Sequence, residues 1–416
     1  MGGIAPAELA AIRGRLEAFV DDILESLPRT DQRARGACYV RGLMLEGRRK
    51  SVEPMAARLG GEIHYQALHH FVAASPWDWR PVRRRLAEML VTALEPTAWA
   101  VDDTGFPKDG TCSVGVQRQY SGTFGKTANC QLGVSVNAVT EHASCPLDWR
   151  LFVPESWDKD AERRAACRVP GSVRHRPKWQ LALDMVDELA VWGLVPPVLV
   201  SDAGYGEVGE FREGLDDRQI PYVVQVKADT SIYPEQARPT VAPYTGRGRR
   251  PQPRYRDKPT SLKGLALEAG QPVCVELIWR RGSKGLQRSR FLCLRVRPAG
   301  ITPRRQAARH SDRELPVRWL LAEWPADRPE PVKYWLSNLP EATPIVELVR
   351  LGKLRWRIEQ DYRELKGALG LDHFEGRSFG GWHHHVTLVS AAHAFVTLQR
   401  LDPNQPRRPD HLPGIA

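Results

Sequence analysis

Three acidic positions sit where carboxylates can do chemistry. Asp102 and Asp103 end the apolar strand pattern "AWAVDD", and Asp202 ends "PPVLVSD" just before Ala203-Gly204. In α/β sheets the carboxyl ends of strands open into clefts, so acids there can face a substrate. A lone Asp after a strand also serves to cap the next turn. The third acid, Glu359, lies in "RWRIEQDYRELKGALGL" (355–371). At about 100° per residue, Arg355, Glu359 and Lys366 fall within about 40° of one another. They border an apolar stripe of Leu354, Ile358, Tyr362, Leu365 and Leu369. One reading is a surface ladder, with Arg355–Glu359 and Glu359–Arg363 as i,i+4 pairs worth a few tenths of a kcal/mol. The other is a carboxylate at a cleft mouth, flanked by cations. Three carboxylates give hard oxygen donors suited to Mg²⁺ or Mn²⁺. Two such ions about 4 Å apart can activate a nucleophile and stabilise the leaving oxygen of a phosphodiester.

The elements around these residues read as mixed α/β. Residues 1–95 carry helical periodicity, and "SVEPMAARLG" opens with Ser51 as an N-cap and stops at Gly60-Gly61. A short helix, a Gly turn and a polar-faced helix in this region fit a helix-turn-helix, or a plain helical bundle. From Thr97 the period changes to two. Strands "AWAVDD", "CSVGVQRQYSG", "CQLGVSVNAVT" and "LDWRLFVP" are followed by the helix of "PKWQLALDMVDELAVWGL", the buried strand "VLVSD", a helix and the strand "PYVVQVKAD". From about Asp229 to Asn338 the chain is Pro/Gly-rich and basic, with isolated strands, and reads as a β-rich insertion with an irregular front. Residues 341–402 read as one long helix over "TPIVELVRLGKLRWRIEQDYRELKGALGL" and a second over "GWHHHVTLVSAAHAFVTLQRL"; residues 403–416 read as a flexible tail.

Charge names the partner class. The chain of 416 residues has a formal net charge of +11 and 42% hydrophobic residues. A globular chain with this basic excess calls for a polyanion, and nucleic acid is the usual one. From Gln236 to His310 there are 18 Lys or Arg against three acids, Asp257, Glu268 and Glu276, so one segment carries the basic field. No apolar run reaches membrane-spanning length, and the first 25 residues are no signal peptide, which predicts a cytoplasmic protein. Seven scattered cysteines without a C-x-x-C predict neither a zinc site nor a disulfide framework.

Three blocks carry a specific resemblance: "VDDTGFPKDGTCSVGVQRQYSGTFGKTANCQLGVSV", "VLVSDAGYG" and "RWRIEQDYRELKGALGLDHFEGRSFGGWHHH". They resemble the catalytic blocks of bacterial insertion-sequence DDE transposases, most of all the insertion sequence 701 group among the hairpin-forming set. The resemblance covers most of residues 97–400. It implies an RNase H-like catalytic core over 96–228 and 341–402, interrupted by a β-rich insertion (229–340) before the last catalytic helix; the helical pattern of residues 1–95, outside the resemblance, is expected to form an all-helical DNA-binding domain. It implies Asp102, Asp202 and Glu359 as catalytic ligands of two Mg²⁺ or Mn²⁺ ions, with Asp103 as second choice for the first. The signature Y-x2-R-x3-E-x6-K falls on Arg355, Glu359 and Lys366, with Gly352 in the tyrosine's place and Tyr362 as a candidate replacement. Arg355, Lys366, Arg363, Lys126, Arg249 and Arg250 are the expected DNA-binding cations. The implied activity is cleavage of an element's terminal inverted repeats and joining to target DNA through a hairpin intermediate, by a homodimer in a synaptic complex on the bacterial nucleoid. The alternatives are an inactive or domesticated DNA-binding copy and a hydrolytic endonuclease without strand transfer; a carboxylate-pair glycosidase is disfavoured by the basic insertion.

The remaining motifs read as packing. Adjacent histidines of "WHHH" point about 100° apart on a helix and cannot all hold one ion. "SGTFGKTAN" lacks the Walker spacing, so no ATP site is expected. Trp279, Trp319, Trp324 and Trp335 are expected mostly in the core of the insertion.

Overall fold

A computed structural model describes residues 6–282 and 285–402; the expected flexible tail, 403–416, lies outside the described residues. The chain opens with helices α1 (Pro6–Leu24), α2 (Thr30–Met44), α3 (Val52–Arg58), α4 (Tyr65–Ala73) and α5 (Trp79–Leu94). Strands β1 (Ala98–Pro107), β2 (Gln117–Ser121), β3 (Lys126–Val139) and β4 (Ser144–Phe152) follow, then α6 (Glu155–Asp158), α7 (Ala161–Ala166) and α8 (Lys178–Val191). Next come β5 (Leu199–Ser201), α9 (Ala203–Gly206), α10 (Gly209–Asp217), β6 (Tyr222–Val226), β7 (Ser231–Pro234), β8 (Thr260–Ser261) and α11 (Leu262–Ala269). The order closes with β9 (Val275–Gly282), β10 (Gly285–Pro298), α12 (Ile301–Ala307), β11 (Arg318–Glu323), β12 (Lys333–Ser337), α13 (Ile345–Leu354), α14 (Trp356–Gly367) and α15 (Phe379–Leu401).

Two compact units share this chain. The first holds residues up to Thr97, Asp102–Val195 and the chain from Arg357; the second holds Ala98–Val101 and Pro196–Trp356. In the first unit, β3 pairs antiparallel with β2 and β4. Its centre is α15, buried on every side from Phe379 to Thr397 except for Gly380. A helix apolar all round belongs inside a core rather than on a surface, and α2, α4, α5 and β4 pack around this one. Gly133 on β3 allows that packing: a Cβ there would meet Phe106 and Trp382 at 2.9 Å. α5 shows how local sequence makes an element. Asp78 caps it by accepting from the Arg80 amide at 3.0 Å, Val82, Leu86, Leu90 and Leu94 repeat every fourth residue and are buried, and Glu95 ends it in the left-handed region. Ser51 does stand at the N-cap of α3, but its side chain makes no cap hydrogen bond.

In the second unit the start of β1 pairs parallel with β5, and β5 pairs parallel with β6. The strands of the basic region extend this sheet antiparallel, β6 to β12, β12 to β11, β11 to β10, with β7 and β9 also on β10. Leu292, Leu320 and Leu336 from those strands pack with Val226, Ile232 and Leu262 in one apolar cluster. The basic region is therefore β-rich, and Thr240–Arg254 is one isolated bridge in its irregular front.

The single long helix expected before residue 370 is two helices. α13 ends at Leu354 and α14 begins at Trp356, with Arg355 between them as a turn residue at φ −57°, ψ −25°. The backbone keeps a helical conformation there, so the apolar repeat runs through the interruption and periodicity could not show it. Leu354, Ile358, Tyr362, Leu365 and Leu369 are all buried, as the stripe requires.

Candidate active site

The two strand-end aspartates follow one registered pair. β1 and β5 run parallel with Trp99 beside Leu199, Ala100 beside Val200 and Val101 beside Ser201. The residue after Val101, still within β1, is Asp102, and the residue after Ser201, just past the end of β5, is Asp202. Successive strand residues point to opposite faces, and Asp102 and Asp103 have different surroundings. Asp102 is 7% exposed and its Oδ1 accepts from the Asp103 amide at 2.8 Å. The Asp103 carboxylate is ion-paired with Lys178, at the start of α8. Asp202 has extended backbone and caps α9, its Oδ1 accepting from the Gly204 amide at 2.9 Å. The cap employs that oxygen as the local sequence alone would predict.

Glu359 is exposed on the first turn of α14, and the rest of that helix is fastened down. The Tyr362 hydroxyl bonds Ser135 Oγ on β3 at 2.7 Å, and Ser144 Oγ donates to the buried Asp361. Glu364 receives Arg400 at 2.7 and 3.0 Å and stands 3.4 Å from His393 Nε2. Lys366 Nζ donates to the Gly105 carbonyl of β1 at 2.6 Å. Residues three and four apart share a helix face, so these ties fix the angle at which Glu359 projects.

Buried charges run through this clamp. Burial raises the Asp361 carboxyl to about 6. Burial opposes ionisation of Glu364, but hydrogen bonds from His393 and Arg400 outweigh it and lower the group to about 2. For His393 burial again works against charge, yet Cys145, Glu364 and Asp361 raise it to about 10. A histidine raised above its ordinary value of about 6.5 stabilises the fold fully below that pH and loses the contribution as pH rises through the folded value. Denaturation midpoints of the wild type should therefore fall between about pH 6.5 and 10 relative to those of His393→Gln, by the equivalent of at least about 1 kcal/mol. Parallel curves for the two proteins would mean that His393 is neutral in the fold.

The other expected site residues divide between the units. Asp103, Lys126, Arg363 and Lys366 belong with Asp102 and Glu359 in the first; Arg249, Arg250 and Arg355 belong with Asp202 in the second. Lys126 is exposed where β3 begins, and Arg363 is exposed with its Nε 3.3 Å from the Glu359 carbonyl. Arg249 and Arg250 are exposed in the irregular front, Arg250 standing 6.0 Å from the Tyr244 ring. Gly352 lies against the Trp335 ring, at 3.4 Å from where its Cβ would be. Tyr362 cannot replace the signature tyrosine as a surface phosphate contact: it is 8% exposed and its hydroxyl is engaged with Ser135. The stripe position that made it part of the helix's apolar face is the physical reason.

The histidine run is packing. His383 takes Arg83 and stacks on Trp79, His384 lies between the Val72 and Trp77 carbonyls, and His385 bonds Tyr39. Burial lowers His385 to about 4 and keeps it neutral. Trp324 and Trp335 are core, whereas Trp279 and Trp319 are half-buried. Trp279 stands 4.5 Å from Lys353 Nζ, which also pairs with Glu323 at 2.5 Å. Neither the Lys353–Glu323 nor the Lys178–Asp103 ion pair is apparent from the sequence. The acid-free basic run "RHRPK" before α8 was a signal for the second; nothing local marked the first. Among the described residues, no three His, Cys, Asp or Glu side chains form a ready metal cage.

A family model described as DDE superfamily endonuclease matches residues 22–286 of the chain. The match takes in Asp102 and Asp202 and ends before Glu359. Over 200 residues the chain is 29% identical to a protein of Microchaete diplosiphon described as a probable transposase for insertion sequence element IS701. That alignment covers 47% of this chain and 50% of the relative, so the chain spans about half the length of the curated relative it matches.

Proposed function

We propose, because this chain belongs to the DDE superfamily of endonucleases, that it is a DNA transposase that cuts the ends of a mobile element and joins them to target DNA. The observation that carries the reading is the pair of aspartates, Asp102 and Asp202, that follow the last registered residues of β1 and β5 inside the matched region. Asp202 stands just past the end of β5, the place at which α/β sheets present acids to a substrate, and Asp102 follows the last residue of β1 that pairs with β5. Glu359, on a helix held by its own clamp, is the third carboxylate. All three are hard oxygen donors, which fits Mg²⁺ or Mn²⁺. Two bound ions would lower the pKa of an attacking water or 3′-hydroxyl and offset charge on the leaving oxygen.

The protein's own groups do the positioning. Asp102, buried and fixed by the Asp103 amide, and Asp202, fixed by its cap, offer carboxylate oxygens with little freedom left to lose. Arg355, Arg363, Lys126, Arg249 and Arg250 hold phosphates, contacts that orient DNA without reading its sequence. Lys366, expected as a further DNA-binding cation, is tied to the Gly105 carbonyl of β1 and, besides any phosphate it meets, holds β1 to α14. The domain plan is an RNase H-like core over 96–228 and 341–402, the basic insertion over 229–340 as a DNA-contacting platform, and helices 1–95 for recognition of the terminal repeats. Two copies bring two ends together. The relative's description as a probable transposase supports joining as well as cutting. The family description as endonuclease keeps hydrolysis without strand transfer as the second reading.

The test is incubation with DNA carrying the element's own ends, a target plasmid and Mg²⁺. Cut ends together with ends covalently joined to the plasmid are expected, and both should disappear on chelation and return when Mg²⁺ or Mn²⁺ is restored. Cut ends without joined products would select the endonuclease reading. Activity that survives chelation would defeat the carboxylate–metal site.

A further inference from the structure

The connection from α7 to α8 contains a run without a single acid: "RVPGSVRHRPK", residues 168–178. Its last part, Val173–Pro177, has no regular secondary structure, yet it is held from below by buried polar groups. Arg164, 7% exposed, donates to the Pro170 carbonyl at 3.1 Å and the Val173 carbonyl at 2.6 Å, and pairs with Asp158 at 3.1 Å. Asp158 in turn accepts from the His175 amide at 2.8 Å, and the His175 ring lies 2.9 Å from the Val153 carbonyl. Residues alternate: Val173 and His175 are half-buried, while Arg174 and Arg176 are exposed. In extended chain, alternate residues share a side and repeat at about 7 Å. The strap ends at Lys178, tied to Asp103, the neighbour of Asp102.

This arrangement suits a polyanionic strand. Buried hydrogen bonds have already fixed the backbone, so little ordering is lost when the arginines engage a ligand. Arg176 pairs with the half-buried Asp184 at 3.1 Å and donates to Gln180 at 3.4 Å, partly exposed contacts of the kind that contribute little and exchange readily. Arg174 makes no hydrogen bond or ion pair among the described residues. A connection that only joined two helices would gain nothing from such a run of cations, whose mutual repulsion it has to bear.

We propose that the strap Arg174–Lys178 is a phosphodiester-binding element that grips the sugar–phosphate backbone of the DNA strand beside Asp102. It rests on the carboxylate reading for what happens there, but its binding can be measured separately. The grip is to phosphates, so it is independent of base sequence.

Full-length wild type, Arg174→Ala and Arg174→Ala/Arg176→Ala are compared by fluorescence anisotropy. Two labelled duplexes of equal length are used, one an element end and one unrelated, without divalent metal and across a range of salt. Each phosphate contact contributes about 0.9 to the slope of log affinity against log salt. The slope should fall by about 1 in the single variant and by about 2 in the double variant, equally on both duplexes, with unaltered melting temperatures. The single variant removes a side chain with no partner among the described residues, so it guards against misfolding. An unchanged slope, or a loss confined to one duplex, overturns the proposal. If the slope falls while wild type fails to cut DNA in Mg²⁺, the strap stands and the carboxylate reading fails. If cutting proceeds and the slope does not move, the reverse holds.

Discussion

Asp102→Asn, Asp202→Asn and Glu359→Gln should each slow strand cleavage on the order of 10³-fold, about 4 kcal/mol of barrier, while Asp103→Asn keeps most of the activity. The substitutions preserve shape and remove only charge and basicity, which are what a hard cation requires of its ligand. Glu359 is the cleanest of the set. It is exposed, so the amide incurs no burial cost, and the helix that carries it is held by Asp361, Tyr362, Glu364 and Lys366 rather than by Glu359 itself. Asp103 provides the contrast because the strand's alternation turns it away from its neighbour and Lys178 already neutralises it. Initial cleavage rates in Mg²⁺, read alongside gel-shift affinity for the same DNA, decide the matter. Equal rates for wild type and Glu359→Gln would remove Glu359 from the chemistry. A loss at Asp103 as deep as that at Asp102 would reassign the first carboxylate.

The parts of this site that were legible in the sequence are those that depend on local pattern. Asp102 and Asp202 stand out as candidates because an apolar strand must end, and the residue at its end is conspicuous when charged. A 3.6-residue period sets Glu359 at the edge of the stripe, where only the resemblance distinguishes it from one arm of a surface ladder, and the stripe from Leu354 to Leu369 is buried as expected. What escaped depends on distant partners. Lys178 meets Asp103 across 75 residues, and Tyr362 spends its hydroxyl on Ser135 across 227. No window of sequence holds both ends of such a contact: the stripe predicts that the Tyr362 ring is buried, but not that its hydroxyl is taken by Ser135. The interruption at Arg355 was hidden for a different reason: the residue keeps helical dihedrals, and the apolar repeat passes through it without a change of phase. The basic, Pro/Gly-rich region stands out by composition, but the pairing of β12 with β6, which makes its strands part of the second unit's sheet, is set by register rather than by residue type.

Arg83→Met should destabilise the first unit by about 3–5 kcal/mol, the range for breaking a buried pair from one side. Arg83 reads as one of three consecutive surface arginines in "RPVRRRLAEML", yet it is 3% exposed. Its guanidinium donates to Asp148 at 2.9 Å, to the Trp149 carbonyl at 2.7 Å, to Thr387 at 2.7 Å and to the His383 carbonyl at 3.2 Å. One planar fork thus links α5 to β4 and to α15, three elements far apart in the chain. Burial lowers the group to about 10, with Asp148 opposing the shift, so it remains charged at neutral pH. Methionine would fill much of the space but leave Asp148, 1% exposed, with only Arg150 as counter-ion. Lysine should rescue little, because a point charge on a flexible stem cannot reproduce the fork. Changing Asp148 to Asn in the Arg83→Met background should recover part of the loss, since the remaining cost is an under-compensated carboxylate rather than a missing attraction. Denaturant titrations of the four proteins in the cycle measure this directly. A loss below about 1 kcal/mol for Arg83→Met would place the guanidinium in water and undo the account of how α5 is joined to the body that carries Asp102 and Glu359.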